Sequence, residues 1–333
     1  MNINEKSISA EKRHYYSSSQ GPFHNANNIL MFYGGGGRAE IAETVIRSLR
    51  VGDNIITVCG ERGSGKTMMS LVLADRLKHR YNNIRYDLQQ LSAGLMLRHL
   101  LIEICPAKAD VITADQAELG APADAIANAM KCLTRALLSA APGNKPYMLI
   151  VDSSADLDIA TMQLLSDLAA IEYNNEPALQ IVFFRRTEAN HHAAHQHGKS
   201  VPAEQAVSFG AVEDHYVLRR LSLAEIGEYL QHHMLLFDFN QRDVFTREMA
   251  YFIADRSEGV FRSINTLARN AFMVAGLEDA ERLSMSHLLT AGLPAPEPQP
   301  EAHGFLWRHR STCVGLLGFG VVAGLAFAIA LGQ

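Results

Sequence analysis

Gly60-Glu61-Arg62-Gly63-Ser64-Gly65-Lys66-Thr67 is the stretch on which the fold turns. An apolar run at 54–59 reads as a strand before it, and a helical pattern at 68–79 follows it. The octet fits GxxxxGK[ST] between strand and helix, and each residue type there has a physical reason. The glycines let the backbone curl so that successive N–H groups converge on phosphate oxygens, aided by the dipole of the helix that follows. Lys66 supplies a point charge suited to β- and γ-phosphates, and the Thr67 hydroxyl is a magnesium ligand. The stretch therefore predicts a cradle for ATP and Mg²⁺, lined by Gly60 to Thr67.

Outward from the cradle, strands and helices alternate. A helix is expected at 39–49, a short strand at 84–87, and a helix capped by Asp124 that runs to about 139. Then come a strand at 147–152, a helix at 161–172 and a strand at 179–184. The runs Met148-Leu149-Ile150-Val151 and Ile181-Val182-Phe183-Phe184 are apolar on both faces, as a parallel sheet covered on both sides requires. The pattern predicts an α/β, doubly wound parallel sheet. Asp152 closes one of these strands and is the second magnesium ligand such a cradle needs.

After a short strand at 216–218 the pattern turns helical. Ser222 and Glu225 form a capping box that opens a helix to about 236, and further helices are expected at 244–254, 260–275 and 285–290. The organisation reads as a lead-in at 1–33, a core at 34–220, a small all-α lid at 221–293, a Pro-rich linker at 294–311 and an apolar segment at 312–331.

With 333 residues, 48% hydrophobic and 20% charged, the chain is long enough to bury a sizeable core. A net charge of −5 gives no overall pull toward nucleic acid. Four scattered cysteines without a CxxC pair argue against a disulfide framework or a zinc site. Residues 1–20 are polar and Ser-rich, so no signal peptide is read there and the bulk of the chain is expected in the cytoplasm.

On these residues the chain resembles the AAA+ ATPases of the general-secretion-pathway A type (the ExeA type, with MshM as a pilus-biogenesis relative). Pro22-Phe23 looks like that family's lead-in, GERGSGKT like its P-loop, and Tyr229-Leu-Gln-His-His-Met234 like its lid helix. Gly259-Val-Phe-Arg-Ser-Ile-Asn265 is similar to its GxPRxIN motif, which makes Arg262 the lid arginine expected to reach the γ-phosphate. The resemblance implies the AAA+ strand order, a helical lid and homo-oligomers. The departures concern hydrolysis. The family follows its magnesium Asp with a water-orienting Glu, and here that position is Ser153. Its first-sensor strand ends in GQPEL, whereas Phe184 is followed by Arg185-Arg186-Thr187-Glu188. Its NxE asparagine falls on Ala170, with Glu172 kept, and its QRI arginine falls on Ala211. An ATPase of low turnover is expected; Asp156 or Glu172 could substitute as base, but nothing in the sequence argues for either, and no catalytic residue is assigned.

Residues 312–331 hold no charged residue and are long enough to cross ~30 Å of hydrocarbon. Trp307, Arg308, His309 and Arg310 precede them, an aromatic and basic flank suited to the cytoplasmic side. A single-pass C-terminal transmembrane helix in the inner membrane is expected, with an envelope-protein partner in a secretion or pilus system. A non-hydrolysing nucleotide-dependent scaffold is the alternative, and a DNA-associated AAA+ regulator is disfavoured by the acidic balance. His191, His192, His195 and His197 read as a solvated loop rather than metal ligands, and Gly34 to Gly37 as a flexible loop with no phosphate role. Arg219-Arg220 reads as a nucleotide- or partner-facing pair or, equally, an exposed turn. Gly320, Gly324 and Ala328 recur every four residues, so one face of the span is small enough for two helices to approach closely. Isoleucine at both Gly320 and Gly324 is expected to weaken association in a membrane reporter while leaving insertion intact; an unchanged signal would reduce the span to a tether.

Overall fold

Strands apolar on both faces need cover on both sides, and that requirement organises the molecule. The structure is a computed structural model that describes residues 21–24, 28–86, 92–140, 145–152, 159–187, 214–237, 239 and 244–292. Its strands are β1 (Ile55–Gly60), β2 (Asn82–Tyr86), β3 (Tyr147–Asp152), a small hairpin of β4 (Glu172–Tyr173) and β5 (Glu176–Pro177), β6 (Leu179–Arg186) and β7 (Asp214–Leu218). Five of them form one parallel sheet in the order β2-β3-β6-β1-β7.

Two helical layers cover the sheet. Helices α1 (Arg38–Val51) and α2 (Lys66–Leu77) bury Ala42, Val45, Met69 and Leu73 against Val58, Ile150, Val182 and Phe184. On the other face lie α3 (Ala93–Ile104), the short α4 (Ala114–Leu119), α5 (Ala123–Ala140) and α6 (Ile159–Ala169), packed on Leu149, Val151, Ile181 and Phe183. Alternate residues of each strand thus belong to opposite layers, which is the period-2 rule of a pleated strand.

The sequence expectations and the structure differ in four places. Asp124 does not cap α5; it is the second residue of the helix, where its carboxylate favours the positive end of the dipole. The helix expected at 161–172 stops at Ala169, because Asn174 and Asn175 adopt positive φ (55° and 62°) and turn the chain into the β4–β5 hairpin. The lid helix expected from 244 starts at Arg247, because the Thr246 side chain accepts the Met249 N–H and sets the N-cap there. Between β2 and α5 the sequence reading places no element. The structure adds α3, capped by Ser92, a 3₁₀ turn at Pro106–Val111, and α4. Asp87 lies outside the described residues.

Beyond β7 the chain forms α7 (Leu223–Leu236), α8 (Arg247–Ser257), α9 (Phe261–Leu277) and α10 (Met285–Ala291). The Ser222–Glu225 capping box is present. These helices surround a core of Ile226, Leu230, Ile253, Ile264 and Phe272, and Phe23 of the lead-in is buried among them. Among the described residues no helix is long and apolar enough to cross a membrane. The linker expected at 294–311 and the span expected at 312–331 lie outside the described residues.

Phe23 stacks on His233 with ring centroids 4.7 Å apart. Burial pushes the His233 imidazole down to about 3, with His232 adding to the shift. Its Nδ1 is buried without a hydrogen-bond partner. The folded chain therefore resists protonation at a site the unfolded chain protonates near 6.5, so stability is fully present above that pH and falls on acidification. Between pH 7 and 5 wild-type protein is expected to lose about 2 kcal/mol more than His233→Phe in urea unfolding. Parallel losses in the two proteins would refute this.

Candidate functional site

β1 ends at Gly60 and α2 begins at Lys66, so the chain reverses from strand to helix through Glu61, Arg62, Gly63, Ser64 and Gly65. The turn lies at the carboxyl ends of parallel strands, where α/β folds collect their ligands. Lys66 folds back on the turn: its Nζ donates to the carbonyls of Gly60 and Glu61, each at 2.8 Å. Burial pushes its pKa down, while the Asp152 carboxylate opposes the shift and Arg186 and Arg262 reinforce it.

Asp152 is the last residue of β3 and is buried (9% exposed). It shares the pleat parity of Met148 and Ile150, which pack into the α1–α2 layer, so its carboxylate belongs to the side on which α2 starts. Thr67 stands in the first turn of α2. Among the described residues no group of three His, Cys, Asp or Glu could hold a metal. A hydroxyl and one carboxylate nevertheless fit Mg²⁺, which is usually held by one or two protein groups together with substrate phosphates.

The cradle touches the lid. The Arg262 N–H, near the start of α9, donates to the Gly63 carbonyl at 3.3 Å. Gly63 has φ 86°, and a Cβ there would stand 2.7 Å from the Arg262 Cβ and 3.0 Å from Val260 Cγ1. Glycine is thus required twice over, by the backbone conformation and by the approach of the lid. The sequence-predicted Gly60, Glu61, Arg62, Gly63, Ser64, Gly65, Lys66 and Thr67 run from the end of β1 through the turn into the start of α2, with Arg262 against the turn and Asp152 in electrostatic reach of Lys66.

Two features escaped the sequence. Arg38 opens α1 and is 3% exposed. It donates to the carbonyls of Gly36 (3.3 Å), Ser64 (3.0 Å) and Arg219 (2.8 Å), and its guanidinium lies 4.3 Å from the centre of the Phe261 ring. Burial, with Arg219 adding to it, pushes this arginine down to about 10. Its signal was the cation directly after the Gly34–Gly37 run, at a helix start where a charge gains nothing from the dipole. The second feature corrects the reading of Arg219-Arg220. Arg219 pairs with Glu225, and the hydrogen bond holds that carboxyl well below its usual range. Arg220 pairs with Glu61 of the cradle at 2.9 Å and with Glu258 of the lid. Neither arginine is a free docking pair; both tie segments of the site together.

Glu172 cannot serve as a base. It sits in the hairpin that precedes β6, at the amino ends of the strands and so at the edge of the sheet opposite the cradle. Ala170 occupies the same edge. Ser153, Asp156, Glu188, Ala211 and the His191–His197 tract lie outside the described residues.

Residues 49–192 match the family model described as AAA domain. No curated protein matches the chain in sequence. Among solved structures, Cdc6p from Pyrobaculum aerophilum is similar at 12% identity and TM-score 0.53, over 86% of this chain and 71% of that one. The Drosophila ORC bound to DNA is similar at 13% identity and TM-score 0.50, over 87% of this chain and 68% of that one. The fold is thus an α/β P-loop AAA+ fold with a parallel sheet, and the matched region is an AAA, nucleotide-binding domain. Lys66→Ala is expected to abolish tight ATP binding in titration calorimetry, because the cradle amides alone do not offset repulsion among phosphate oxygens. Unchanged affinity would remove the cradle from the ligand.

Proposed function

We propose that the chain is a membrane-anchored ATP-binding AAA+ switch of the general-secretion-pathway A type, with weak hydrolysis, that drives or gates an envelope assembly. The observation that carries the reading is the docking of the lid on the phosphate cradle. Arg262 is held by its own backbone against Gly63, so a nucleotide that alters the cradle alters the lid. Thr67 and Asp152 would hold Mg²⁺ against the phosphates, and Mg²⁺ would neutralise their charge. Weak turnover is supported by the residues left to orient water: Asp152 is needed for the metal, the Glu61 carboxylate is engaged by Arg220, and Ser153 stands where a water-orienting Glu is expected.

The anchor rests on the charge-free segment at 312–331 and its aromatic-basic flank, which favour an inner-membrane location with the bulk of the chain cytoplasmic. Self-association is supported by the AAA domain and the small-residue face of that segment. The alternative is a scaffold that binds nucleotide and never hydrolyses it. The similar Drosophila ORC is bound to DNA, but the net charge of −5 gives a DNA role in this chain no electrostatic support.

Phosphate release by the detergent-solubilised full chain is the test. Wild-type turnover is expected at or below the bottom of the usual ~1–10³ s⁻¹ range, and Ser153→Glu is expected to raise it. Brisk Mg²⁺-dependent hydrolysis by the wild type would overturn the weak-turnover reading. No release in either protein would favour the scaffold.

A further inference from the structure

β7 ends at Leu218 and the N-cap of α7 is Ser222, so the core passes into the lid through Arg219, Arg220 and Leu221. Charged groups fix this short connector. The Arg219 carbonyl accepts from Arg38, and the Arg219 side chain pairs with Glu225. Arg220 reaches two carboxylates. Its Nε donates to the Glu61 carboxylate oxygens at 3.1 and 3.0 Å, and its Nη2 lies 2.9 Å from the same carboxylate. Its Nη1 donates to Glu258. From the connector between core and lid, one guanidinium thus joins the phosphate turn, at Glu61, to the turn between α8 and α9, at Glu258.

The lid side of this bridge is a strained position. Glu258 is held at φ 50°, a left-handed conformation that glycine adopts freely and a glutamate does not. The next residue, Gly259, is also left-handed (φ 77°), and a Cβ there would run into the Leu221 backbone. The Leu221 N–H donates to the Gly259 carbonyl at 3.0 Å, so the connector and the α8–α9 turn form one piece. Exposed ion pairs on their own contribute little, but a fork-to-carboxylate pair within a network is the arrangement that does. The Arg220 and Glu61 side chains are partly buried (33% and 29% exposed), whereas Glu258 is 69% exposed, so salt screens the outer half of the bridge first.

We propose that Arg220 is a positioning residue that sets how long a nucleotide stays in the cradle: its bridge from Glu61 to Glu258 latches the lid to the phosphate turn, and release requires the latch to open. The inference rests on the nucleotide-binding reading above and adds a control on the exchange step. Arg220 itself touches no phosphate. It acts through Glu61, whose carbonyl accepts from Lys66 at 2.8 Å, and through Glu258, which opens the turn leading to Arg262. A phosphate turn and a lid pinned by one guanidinium part only when it lets a carboxylate go. Loss of the latch therefore falls on dissociation of the nucleotide rather than on its association.

The test is release of fluorescently labelled Mg-ADP from the detergent-solubilised full chain, chased with excess unlabelled ADP in stopped flow. Arg220→Gln is expected to release it about 3- to 10-fold faster than wild type. Arg220→Lys should fall between the two, because an ammonium keeps the charge without the fork. Glu258→Gly separates latching from stability. It removes one carboxylate and relieves the left-handed strain, so release should quicken by about 2- to 5-fold while Tm holds. Added KCl should speed release from wild type more steeply than from Arg220→Gln. An unchanged release rate in either Arg220→Gln or Glu258→Gly would overturn the proposal. Wild-type protein that bound neither labelled nor unlabelled ADP would instead overturn the nucleotide-binding reading itself, a result distinct from a variant that binds and fails to latch.

Discussion

A guanidinium buried beneath a phosphate cradle is the constraint on which the site depends. Removing Arg38 from water costs several kcal/mol unless its N–H groups find acceptors. It finds three backbone carbonyls and one aromatic face, and each comes from a different part of the chain: the glycine run, the cradle, the end of β7 and the first residue of α9. Even so, burial outweighs these contacts enough to pull the group down to about 10, and it remains a cation at neutral pH. A charge held at that expense tolerates little displacement of its acceptors. The cradle, the edge strand and the lid are therefore positioned by one another through Arg38, and the run at Gly34–Gly37 is a seat for this residue rather than a loose loop.

The second strap joins the cradle to the lid from outside. Glu61 takes part twice, its carbonyl accepting from Lys66 and its carboxylate from Arg220. Arg220 also holds Glu258, which lies beside Gly259, where φ is 77° and a Cβ would run into the backbone of Leu221. The Lys66 ammonium donates to the neutral carbonyls of Gly60 and Glu61. Phosphate oxygens are stronger partners, because both groups of the pair are then charged. A change at the phosphates thus has a covalent and ionic route to the turn that starts α9.

The sheet was legible because doubly buried strands leave runs such as Met148–Val151 that no other element explains, and the cradle because its pattern serves one chemistry. The layer between β2 and α5 was harder. Met96, Leu97, Leu100 and Leu101 have helical spacing, but Gly94 and the short intervening turns obscure the ends of α3. The hairpin after α6 was missed because its two asparagines sit in positive φ, a local choice that apolar periodicity does not report. Within the site, the cradle residues and Arg262 were legible as motifs. Arg38 and Arg220 were not, because an arginine's role depends on which carbonyls or carboxylates the tertiary fold brings to it.

Topology also limits where any group that orients a water could come from. The cradle lies at the carboxyl ends of the strands, so the protein reaches a terminal phosphate only through residues that follow a strand, through the lid, or through another copy of the chain. Glu172, which precedes β6, is excluded by that rule from the cradle of its own chain. After β3 the sequence continues Ser153-Ser154-Ala155-Asp156, and after β6 Thr187-Glu188. Of these, Ser153 has no useful basicity. Asp156 and Glu188 lie outside the described residues. The positions that the described part of the fold controls at this edge carry the Asp152 carboxylate and the Lys66 ammonium. Preorganised groups of that kind stabilise a bound triphosphate, whereas hydrolysis needs a carboxylate held equally firmly against a water. Among the described residues, those that the sheet fixes at the cradle edge are thus suited to holding a triphosphate rather than to cleaving it.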